Sequence, residues 1–409
     1  MSSDSETKYV ILIPDGAADS PIPDLGNRTP LQAAETPWMD KMADAGTLGL
    51  TRTVPEGMDA GSDVAGLSIM GYSPGEIYSG RAPLEAASMG VDLTEHDLAF
   101  RLNLVKLDRN YSVMADHSAD HITTAEAHVL MDALKPVLEP FGFALYPGVS
   151  YRHLLVWGNG PDGCVTHAPH DFLGEPIGSR FPSGAGADKM IRVIIESWKA
   201  LESHPVNEDR LRRGQGPANS VWPWGQGKPP SMKTLTERFN ITGSVVSAVD
   251  LLRGIGRYAG LEPIVVPGAT GYLDTNYEGK VQAALDALKD EDFVFVHVEA
   301  PDETSHAGKL DLKIKAIEDF DKKVAGPILK GLVQFDHWRI LLMPDHHTPL
   351  ATRKHSPDPV PFLLLDSKEF PAESEQNSTG FSEEAAASAD LFVDRADKLI
   401  EMLLQRENG

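Results

Sequence analysis

Two residues that can bind a metal ion, Asp302 and His306, lie four positions apart just after an apolar run. The run, Phe293 to Val298, is rich in aromatic and β-branched residues and predicts a buried strand of a parallel sheet that Pro301 ends. If a helical turn follows, residues at this spacing project from one face of it. A carboxylate and an imidazole on one face suit a divalent transition metal.

The pattern of an apolar strand followed by an acidic residue occurs twice more. One run ends at Asp15, a second ends at Asp345 and His346, and His355 follows one loop later. Ligands of open parallel sheets bind beyond the carboxyl ends of the strands, so we expect these groups at one sheet edge. Taken alone, Asp15 also fits a turn residue in a Pro-Asp-Gly sequence. The joint placement of six carboxylate and imidazole groups predicts two divalent ions rather than one.

Ser62 follows a Gly-rich stretch and precedes an apolar helical one, so it should lie at a helix N-terminus. Two compatible interpretations follow. A serine at this point commonly caps the helix. It can also act as a nucleophile, because the helix start favours negative charge and a neighbouring metal can activate the hydroxyl. Since two ions about 4 Å apart clamp the attacking and departing oxygens of a phosphoryl transfer, Ser62 would supply the attacking oxygen.

The elements that must position these residues alternate between strand and helix. This alternation predicts an α/β fold with a mostly parallel sheet flanked by helices. Between residues 91 and 230 the pattern changes, which predicts a smaller α+β domain inserted between residues 1–90 and 231–409. Its last part, Gly214 to Pro230, has four Gly and four Pro and predicts a returning linker. Two amphipathic helices are predicted nearer the C-terminus, over Asp311 to Leu329 and Ala389 to Gln405.

Charge and composition exclude several classes of partner. The formal net charge of -23 argues against a nucleic acid or an anionic membrane surface, because a phosphate backbone needs a basic footprint. An anionic small substrate remains compatible if metals and a few arginines make the site locally positive. The single Cys164 excludes an internal disulfide and fits a reducing cytosol. Met1 to Lys8 lacks a signal-peptide pattern and no apolar run could span a bilayer, so we expect a soluble cytoplasmic protein of unspecified oligomeric state.

Several sequence blocks occur in a characteristic order and spacing: Pro14-Asp15-Gly16, Gly61-Ser62-Asp63-Val64-Ala65, Gly80-Arg81-Ala82-Pro83-Leu84-Glu85, Ala300-Pro301-Asp302 with His306, Pro344-Asp345-His346, and His355-Ser356 with Pro359-Val360-Pro361-Phe362. In these blocks the chain resembles the archaeal-type cofactor-independent phosphoglycerate mutases of the alkaline phosphatase superfamily. The resemblance runs from about residue 9 to the C-terminus. It implies an alkaline-phosphatase-like fold.

The resemblance also implies an isomerase of glycolysis and gluconeogenesis. One metal would be surrounded by Asp15, Ser62, Asp345 and His346, and the other by Asp302, His306 and His355. Ser62 would take the phosphate of 3-phosphoglycerate and return it to the other hydroxyl, giving 2-phosphoglycerate without 2,3-bisphosphoglycerate. The inserted domain would close over the substrate and exclude water, so that the phosphoserine is not hydrolysed.

The residues that would grip the substrate are chosen because guanidinium forks suit carboxylate and phosphate. They are Arg81, Arg101, Asn103, Arg152 and His153. Each alone fits a structural role equally well. The proton that passes between the two hydroxyls needs a general acid and base, for which Asp63, Asp116 and His153 are the candidates.

Two further questions stay open on the residues alone. The Asp/His ligand set is compatible with manganese, magnesium, zinc or cobalt. Another metal-dependent phosphotransferase or phosphatase of the same superfamily, such as a sugar-phosphate mutase or a homoserine-kinase-like enzyme, is the alternative function. His297 and His347 are interpreted as structural.

Overall fold

The structure is a computed structural model, which describes residues 7–370 and 380–405. Its strands are β1 (Lys8–Pro14), β2 (Thr47–Thr51), β3 (Leu98–Leu107), β4 (Met114–Asp116), β5 (Phe143–Tyr146), β6 (Arg152–Trp157), β7 (Cys164–Val165), β8 (Ser183–Gly184), β9 (Ser220–Gly227), β10 (Gly243–Val246), β11 (Glu262–Ile264), β12 (Phe293–Val298), β13 (Trp338–Leu342), β14 (Val360–Asp366) and β15 (Phe392–Val393). Most of the N-terminal segment in which we expected no signal peptide lies outside the described residues.

The α-helices lie mainly between these strands. They are α1 (Pro30–Ala33), α2 (Pro37–Ala45), α3 (Ser62–Ile69), α4 (Pro74–Ile77), α5 (Arg81–Ser88), α6 (Thr124–Leu138), α7 (Ala187–Leu201), α8 (Pro205–Arg212), α9 (Leu235–Phe239), α10 (Asp250–Tyr258), α11 (Tyr277–Asp290), α12 (Ala300–His306), α13 (Leu310–Phe320), α14 (Gly326–Leu332), α15 (Glu383–Ser388) and α16 (Leu399–Leu404). A π-helical turn, Asp321–Ala325, joins α13 to α14. In the part of the chain that the structure describes, no helix is both long and apolar enough to cross a membrane.

The chain divides into two compact units, Met1–Tyr78 with Met232–Gly409, and Ser79–Ser231. The first unit contains a sheet of eight strands in the order β11-β10-β12-β1-β13-β14-β2-β15. The five strands from β11 to β13 are parallel, whereas β14 runs antiparallel to both of its neighbours. Val10 and Leu12 pack with residues of α11 and α13, while Ile11, between them on the opposite face, is also fully buried. The prediction of a mostly parallel sheet flanked by helices is confirmed.

The parallel strands place their carboxyl ends at one edge of this sheet. Asp15 directly follows β1, Asp302 follows β12 and Asp345 follows β13, and β1 lies between the other two strands. Pro301 is near the start of α12, which is the helical turn expected after the strand. The strand pattern therefore brings residues that are far apart in sequence to one place.

The second unit is built around β3, which pairs antiparallel with β4, β6 and β9. Its core includes Phe100 and Leu102 of β3, with Leu130 of α6 and Val193 of α7. Helix α5 belongs to this unit, although we placed the domain boundary after residue 90. The reason is that the small side chains of α5 pack against β3 and β6.

The predicted linker over Gly214 to Pro230 is partly wrong, because much of it is strand β9. The strand pairs only with β3, so Pro223 can lie within it as on other edge strands. Trp222 on the same strand is fully buried. Composition alone favoured a loop, but burial of the tryptophan stabilises an edge strand instead.

Candidate metal centre and nucleophile

Two buried carboxylates at the sheet edge each use one oxygen within the protein. Asp345 Oδ1 accepts hydrogen bonds from the N–H groups of Gly16 (3.0 Å) and His346 (2.9 Å). Asp15 Oδ2 lies 2.8 Å from Nε2 of His297. The other two oxygens, Asp15 Oδ1 and Asp345 Oδ2, are buried without a hydrogen-bond partner among the described residues. A buried carboxylate oxygen in this state needs a cation or a proton.

His346 completes a group of three possible ligands around these oxygens. Its Nε2 lies 3.6 Å from Asp15 Oδ1 and 3.3 Å from Asp345 Oδ2, and the three ligand atoms lie within 4.8 Å of one another. Burial, and then the charge of Asp345, raise the pKa of Asp15 well above its usual value. Two ionised carboxylates at this distance repel each other, and a divalent cation between them would offset that repulsion.

A second group of ligand atoms lies beside the first and shares His346 with it. Asp302, His346 and His355 each offer one atom within 4.8 Å of the others. His306 is close to the same point, since its Nε2 lies 3.1 Å from Asp302 Oδ2 and 2.8 Å from His355 Nε2. All six ligands expected from the sequence therefore lie at this edge, in two overlapping groups.

The two outer imidazoles are held so that their Nε2 atoms face each other. Nδ1 of His306 donates to the carbonyl oxygen of Arg353 (2.9 Å), and Nδ1 of His355 donates to that of Ala60 (3.3 Å). Because carbonyl oxygens only accept, Nε2 of each neutral imidazole has a lone pair, and the two facing nitrogens need a proton or a cation between them. A proton on Nε2 of His306 is stabilised by the hydrogen bond to Asp302, which raises the pKa of His306 to about 9. The donor set fits a divalent metal.

Two further residues shape the second group. Thr348 Oγ1 donates a hydrogen bond to Asp302 Oδ1 (2.5 Å). It also lies 3.2 Å from Nδ1 of His346, so Nε2 is the nitrogen of that imidazole that can bind a metal. Gly16 has a φ of 62°, and a Cβ built on it would lie 2.6 Å from Asp302 Oδ1. Glycine therefore lets the loop approach the carboxylate. We did not predict a role for Thr348, although its place just after Asp-His-His was the available signal.

Ser62 is the first residue of α3, and Gly61 before it is the N-cap. In the first turn, Asp63 Oδ1 accepts a hydrogen bond from the N–H of Val64 (3.1 Å). Ser62 is not the N-cap residue, and its Oγ lies 3.2 Å from Nε2 of His346. The backbone N–H groups of the first turn favour an anion at this position. The serine hydroxyl thus adjoins the carboxylate and imidazole ligands.

The second unit contains a separate cluster of cationic side chains. Arg101 is buried, pairs through Nε with Glu85 (3.0 Å) and stacks its guanidinium 4.1 Å from the centroid of the Trp224 ring. Burial lowers the pKa of Arg101, and the nearby positive charges of Arg81 and Arg152 lower it further. Three guanidinium groups close together make this region locally positive in a strongly acidic chain.

Asn103 is used within the protein. Its Nδ2 donates to the carbonyl of His117 (3.0 Å) and its Oδ1 accepts from Nε1 of Trp224 (3.0 Å), so the amide holds those residues in place. The His170 ring lies 5.1 Å from Trp224 and 6.0 Å from His117. The sequence gives no signal for His117 and His170 in this cluster, because His117 follows β4 and His170 lies in a short 3-10 turn, Pro169–Phe172, neither of which has a side-chain period.

The three candidates for proton transfer differ in their surroundings. Asp63 Oδ2 accepts a hydrogen bond from the phenol hydroxyl of Tyr78 (2.6 Å). Although burial opposes it, hydrogen bonds from Ser118 hold the pKa of Asp116 below its usual value. His153 is buried, and desolvation lowers its pKa to about 3. The N–H of Gly148 donates to Nδ1 of His153 (3.0 Å), so the proton of the neutral ring is on Nε2, which has no hydrogen-bond partner within the described ranges and can donate one.

The histidines interpreted as structural fall in different places. His347 Nε2 donates to the carbonyl of Pro359 (3.0 Å), outside the two ligand groups. His297 contacts Asp15 directly, as described above.

Comparison with known proteins identifies the family. A family profile described as 2,3-bisphosphoglycerate-independent phosphoglycerate mutase matches residues 43–207. A Geobacter sulfurreducens protein named as a probable enzyme of this kind is 52% identical over 403 residues, covering 98% of this chain and 100% of that one. The Methanosarcina acetivorans enzyme of the same name is 50% identical over 401 residues, covering 97% and 100%.

Two solved structures share the fold. A Pyrococcus horikoshii protein has a TM-score of 0.82 at 30% identity, over 99% of each chain. The cofactor-independent phosphoglycerate mutase of Thermoplasma acidophilum has a TM-score of 0.67 at 28% identity, over 98% of this chain and 99% of that one. With half or more of the aligned residues identical along nearly all of both curated relatives, the chain belongs to the 2,3-bisphosphoglycerate-independent phosphoglycerate mutases, which are isomerases.

Proposed function

We propose that this enzyme interconverts 3-phosphoglycerate and 2-phosphoglycerate through a phosphoserine at Ser62. One observation carries the proposal. The hydroxyl of Ser62 lies at a helix start, 3.2 Å from Nε2 of His346, and that nitrogen adjoins two carboxylate oxygens that are buried without a hydrogen-bond partner among the described residues. Such a site suits a nucleophile that takes up a phosphoryl group, because phosphate is attracted both by the helix start and by the cations that the carboxylates and imidazoles would hold.

Two divalent cations, which could be manganese, magnesium, zinc or cobalt, fit the donor atoms. One would be held by Asp15, Asp345 and His346 beside Ser62, and the other by Asp302, His306 and His355, with His346 within reach of both. When bound, such ions would lower the pKa of the serine hydroxyl and offset the negative charge of the phosphoryl oxygens. The proposal needs no 2,3-bisphosphoglycerate, because the enzyme itself carries the phosphoryl group between the two substrate hydroxyls.

The reaction consists of two transfers at one serine. Ser62 Oγ loses its proton and attacks the phosphorus of 3-phosphoglycerate, so that a bond to Oγ forms, the bond to the C3 oxygen breaks and that oxygen takes up a proton. The bound glycerate then turns, and its C2 hydroxyl loses a proton and attacks the phosphorus of the phosphoserine. A bond to the C2 oxygen forms, the bond from phosphorus to Oγ breaks, and Oγ takes up a proton, which restores the serine. The positive end of the dipole of α3 stabilises the phosphoryl oxygens in both transfers.

We propose that the cationic cluster of the second unit holds the glycerate. Arg81, Arg101 and Arg152 suit its carboxylate, and the stacking of Arg101 on Trp224 fixes the direction of one guanidinium. The second unit would also close over the substrate and exclude water, since water would hydrolyse the phosphoserine. We place this reaction in glycolysis and gluconeogenesis in the cytoplasm, where the buried free thiol of Cys164 is compatible with a reducing environment.

The proposal is tested by an assay of metal-stripped protein with 3-phosphoglycerate, coupled to enolase, without added bisphosphoglycerate. We expect turnover to return with at least one of Mn²⁺, Mg²⁺, Zn²⁺ and Co²⁺. If none restores it while the protein releases phosphate from 3-phosphoglycerate or acts on another phosphoester, the enzyme is a phosphatase or another phosphotransferase.

The role of Ser62 has a matched control on the same helix. Ser62→Ala should lower turnover by several orders of magnitude, because the nucleophile is gone, and should leave metal content nearly unchanged. Ser68→Ala removes another hydroxyl from α3 and should keep wild-type turnover. Retained turnover in Ser62→Ala would rule out the phosphoserine pathway.

A further inference from the structure

Three neighbouring parallel strands each contribute one polar side chain to a row across the sheet edge. Ser247 follows β10, His297 lies in β12 and Asp15 follows β1, and these strands are adjacent in the sheet. The parallel register places Ile13, two residues before Asp15, beside His297. The sheet itself therefore fixes the order in which the three side chains meet.

The hydrogen bonds along this row have one consistent direction. The N–H of Val249 donates to Ser247 Oγ (3.0 Å), which lies 3.2 Å from Nδ1 of His297. Nε2 of His297 lies 2.8 Å from Asp15 Oδ2. As a metal ligand Asp15 would be ionised and would only accept, so Nε2 would carry the ring proton and Nδ1 would accept the hydroxyl proton of Ser247. His297 is fully buried, so water does not compete for either nitrogen.

We propose that His297, itself oriented by Ser247, is a positioning residue that selects which oxygen of Asp15 binds metal. By bonding to Oδ2 it leaves Oδ1, which is buried without a partner in the described structure and lies 3.6 Å from Nε2 of His346. Asp345 is oriented in an equivalent way, but by two backbone N–H groups. The imidazole of His297 therefore orients the carboxylate of Asp15 as the backbone N–H groups orient that of Asp345. The inference rests on the proposed function, since it takes Asp15 as a metal ligand.

The chain contains the same arrangement at a place away from the ligand groups. His337 Nδ1 lies 2.9 Å from Thr7 Oγ1, and its Nε2 lies 2.9 Å from Asp366 Oδ1. His337 directly precedes β13, whereas Asp345 follows the carboxyl end of that strand, so the pair lies at the opposite edge of the sheet. The variant His337→Leu is therefore a matched control for the loss of a hydroxyl–imidazole–carboxylate row.

The test is a calorimetric titration of metal-stripped protein with Mn²⁺, with circular dichroism to verify folding. His297→Leu should weaken one Mn²⁺ site by about 10–100-fold, the range for loss of a group that orients a metal ligand. His297→Gln keeps an N–H that can reach Asp15 and should recover part of that affinity, and Ser247→Ala should cause a smaller loss. His337→Leu should keep both wild-type dissociation constants.

Several outcomes separate this inference from the proposed function. Unchanged Mn²⁺ affinity in folded His297→Leu would overturn it, as would an equal loss in His337→Leu. If His297→Leu does not fold, wild-type affinity in both His297→Gln and Ser247→Ala would overturn it instead. Failure of the wild-type protein to bind Mn²⁺, Mg²⁺, Zn²⁺ or Co²⁺ would contradict the metal centre itself, and with it the proposed function.

Discussion

The carboxylates of the proposed metal centre show which details residue types reveal and which they do not. The placement of these residues at one sheet edge could be predicted, because an acid after each buried strand must reach the same edge of a parallel sheet. Which oxygen of each carboxylate is left for a metal could not be predicted. Asp15 and Asp345 are oriented by His297 and by backbone N–H groups, and these partners depend on a register that emerges only in the folded sheet. His297 looked structural because it lies inside a buried strand.

In the proposed binding of the glycerate, the planar guanidinium of Arg101 contacts the substrate. Arg101→Lys keeps the charge but loses the planar fork and its stacking on Trp224. We expect kcat/KM for 3-phosphoglycerate to fall about 10-fold or more, since a charge-assisted hydrogen bond contributes about 1.5–3 kcal/mol. Arg192→Lys is the control, because Arg192 also faces an aromatic ring in this unit but is exposed. Wild-type kcat/KM in Arg101→Lys would contradict a role for this arginine.

At the scale of elements, one long predicted helix proved to contain a π-helical turn. The stretch from Asp311 to Leu329 reads as a regular amphipathic helix, yet Asp321–Ala325 between α13 and α14 is wider. Asp321 Oδ1 accepts hydrogen bonds there from the N–H groups of Trp38 (3.0 Å) and Met39 (2.7 Å), at the start of α2. Side-chain periodicity does not reveal these hydrogen bonds, because they join this turn to the start of a helix that is distant in sequence.

Removing that acceptor should destabilise the first unit. Asp321→Ala leaves two N–H groups of α2 without their partner, and we expect the free energy of unfolding to fall by about 1–3 kcal/mol. The measurement is denaturant-induced unfolding of the whole chain. Asp286→Ala, which removes an exposed carboxylate paired with Lys289, should change it by less than about 0.5 kcal/mol. Equal effects of the two substitutions would show that the cap is unimportant.

The same carboxylate predicts a pH dependence. Burial raises the pKa of Asp321 to about 6, above the unfolded value of about 3.9. The folded state therefore binds the proton of Asp321 more tightly than the unfolded state does, and protonation stabilises the fold. This stabilisation is full below about pH 3.9 and is lost as the pH rises through about 6. Relative to Asp321→Asn, which does not titrate, the wild-type protein should lose stability between about pH 4 and pH 6. A difference that stays constant or grows over this range would contradict the raised pKa.

The C-terminal region shows how short elements escape prediction. The apolar pattern of Ala389 to Gln405 predicted one helix, but Phe392–Val393 adds to β2 as strand β15 and only Leu399–Leu404 forms α16. A two-residue strand carries no periodicity. Its formation depends on the open edge of β2, which is built from residues near the other end of the chain.

For the whole molecule, the predicted inserted domain has a direct test. The unit Ser79–Ser231 has its own core, which includes Phe100, Leu130 and the buried Trp222. Expressed alone, this fragment should unfold cooperatively on heating, with tryptophan fluorescence that shifts to longer wavelength as Trp222 meets water. A fragment without a cooperative transition would show that the unit depends on the rest of the chain.

The central claim is that Ser62 carries the phosphoryl group between the two hydroxyls of one glycerate. It is tested most directly by mixing the metal-loaded enzyme with 3-phosphoglycerate, quenching in acid within the first turnovers and mapping the phosphorylated peptide by mass spectrometry. We expect one phosphoryl group on the peptide that contains Ser62, and no phosphorylated peptide from the Ser62→Ala variant. Turnover to 2-phosphoglycerate with the phosphoryl group on another residue would contradict it.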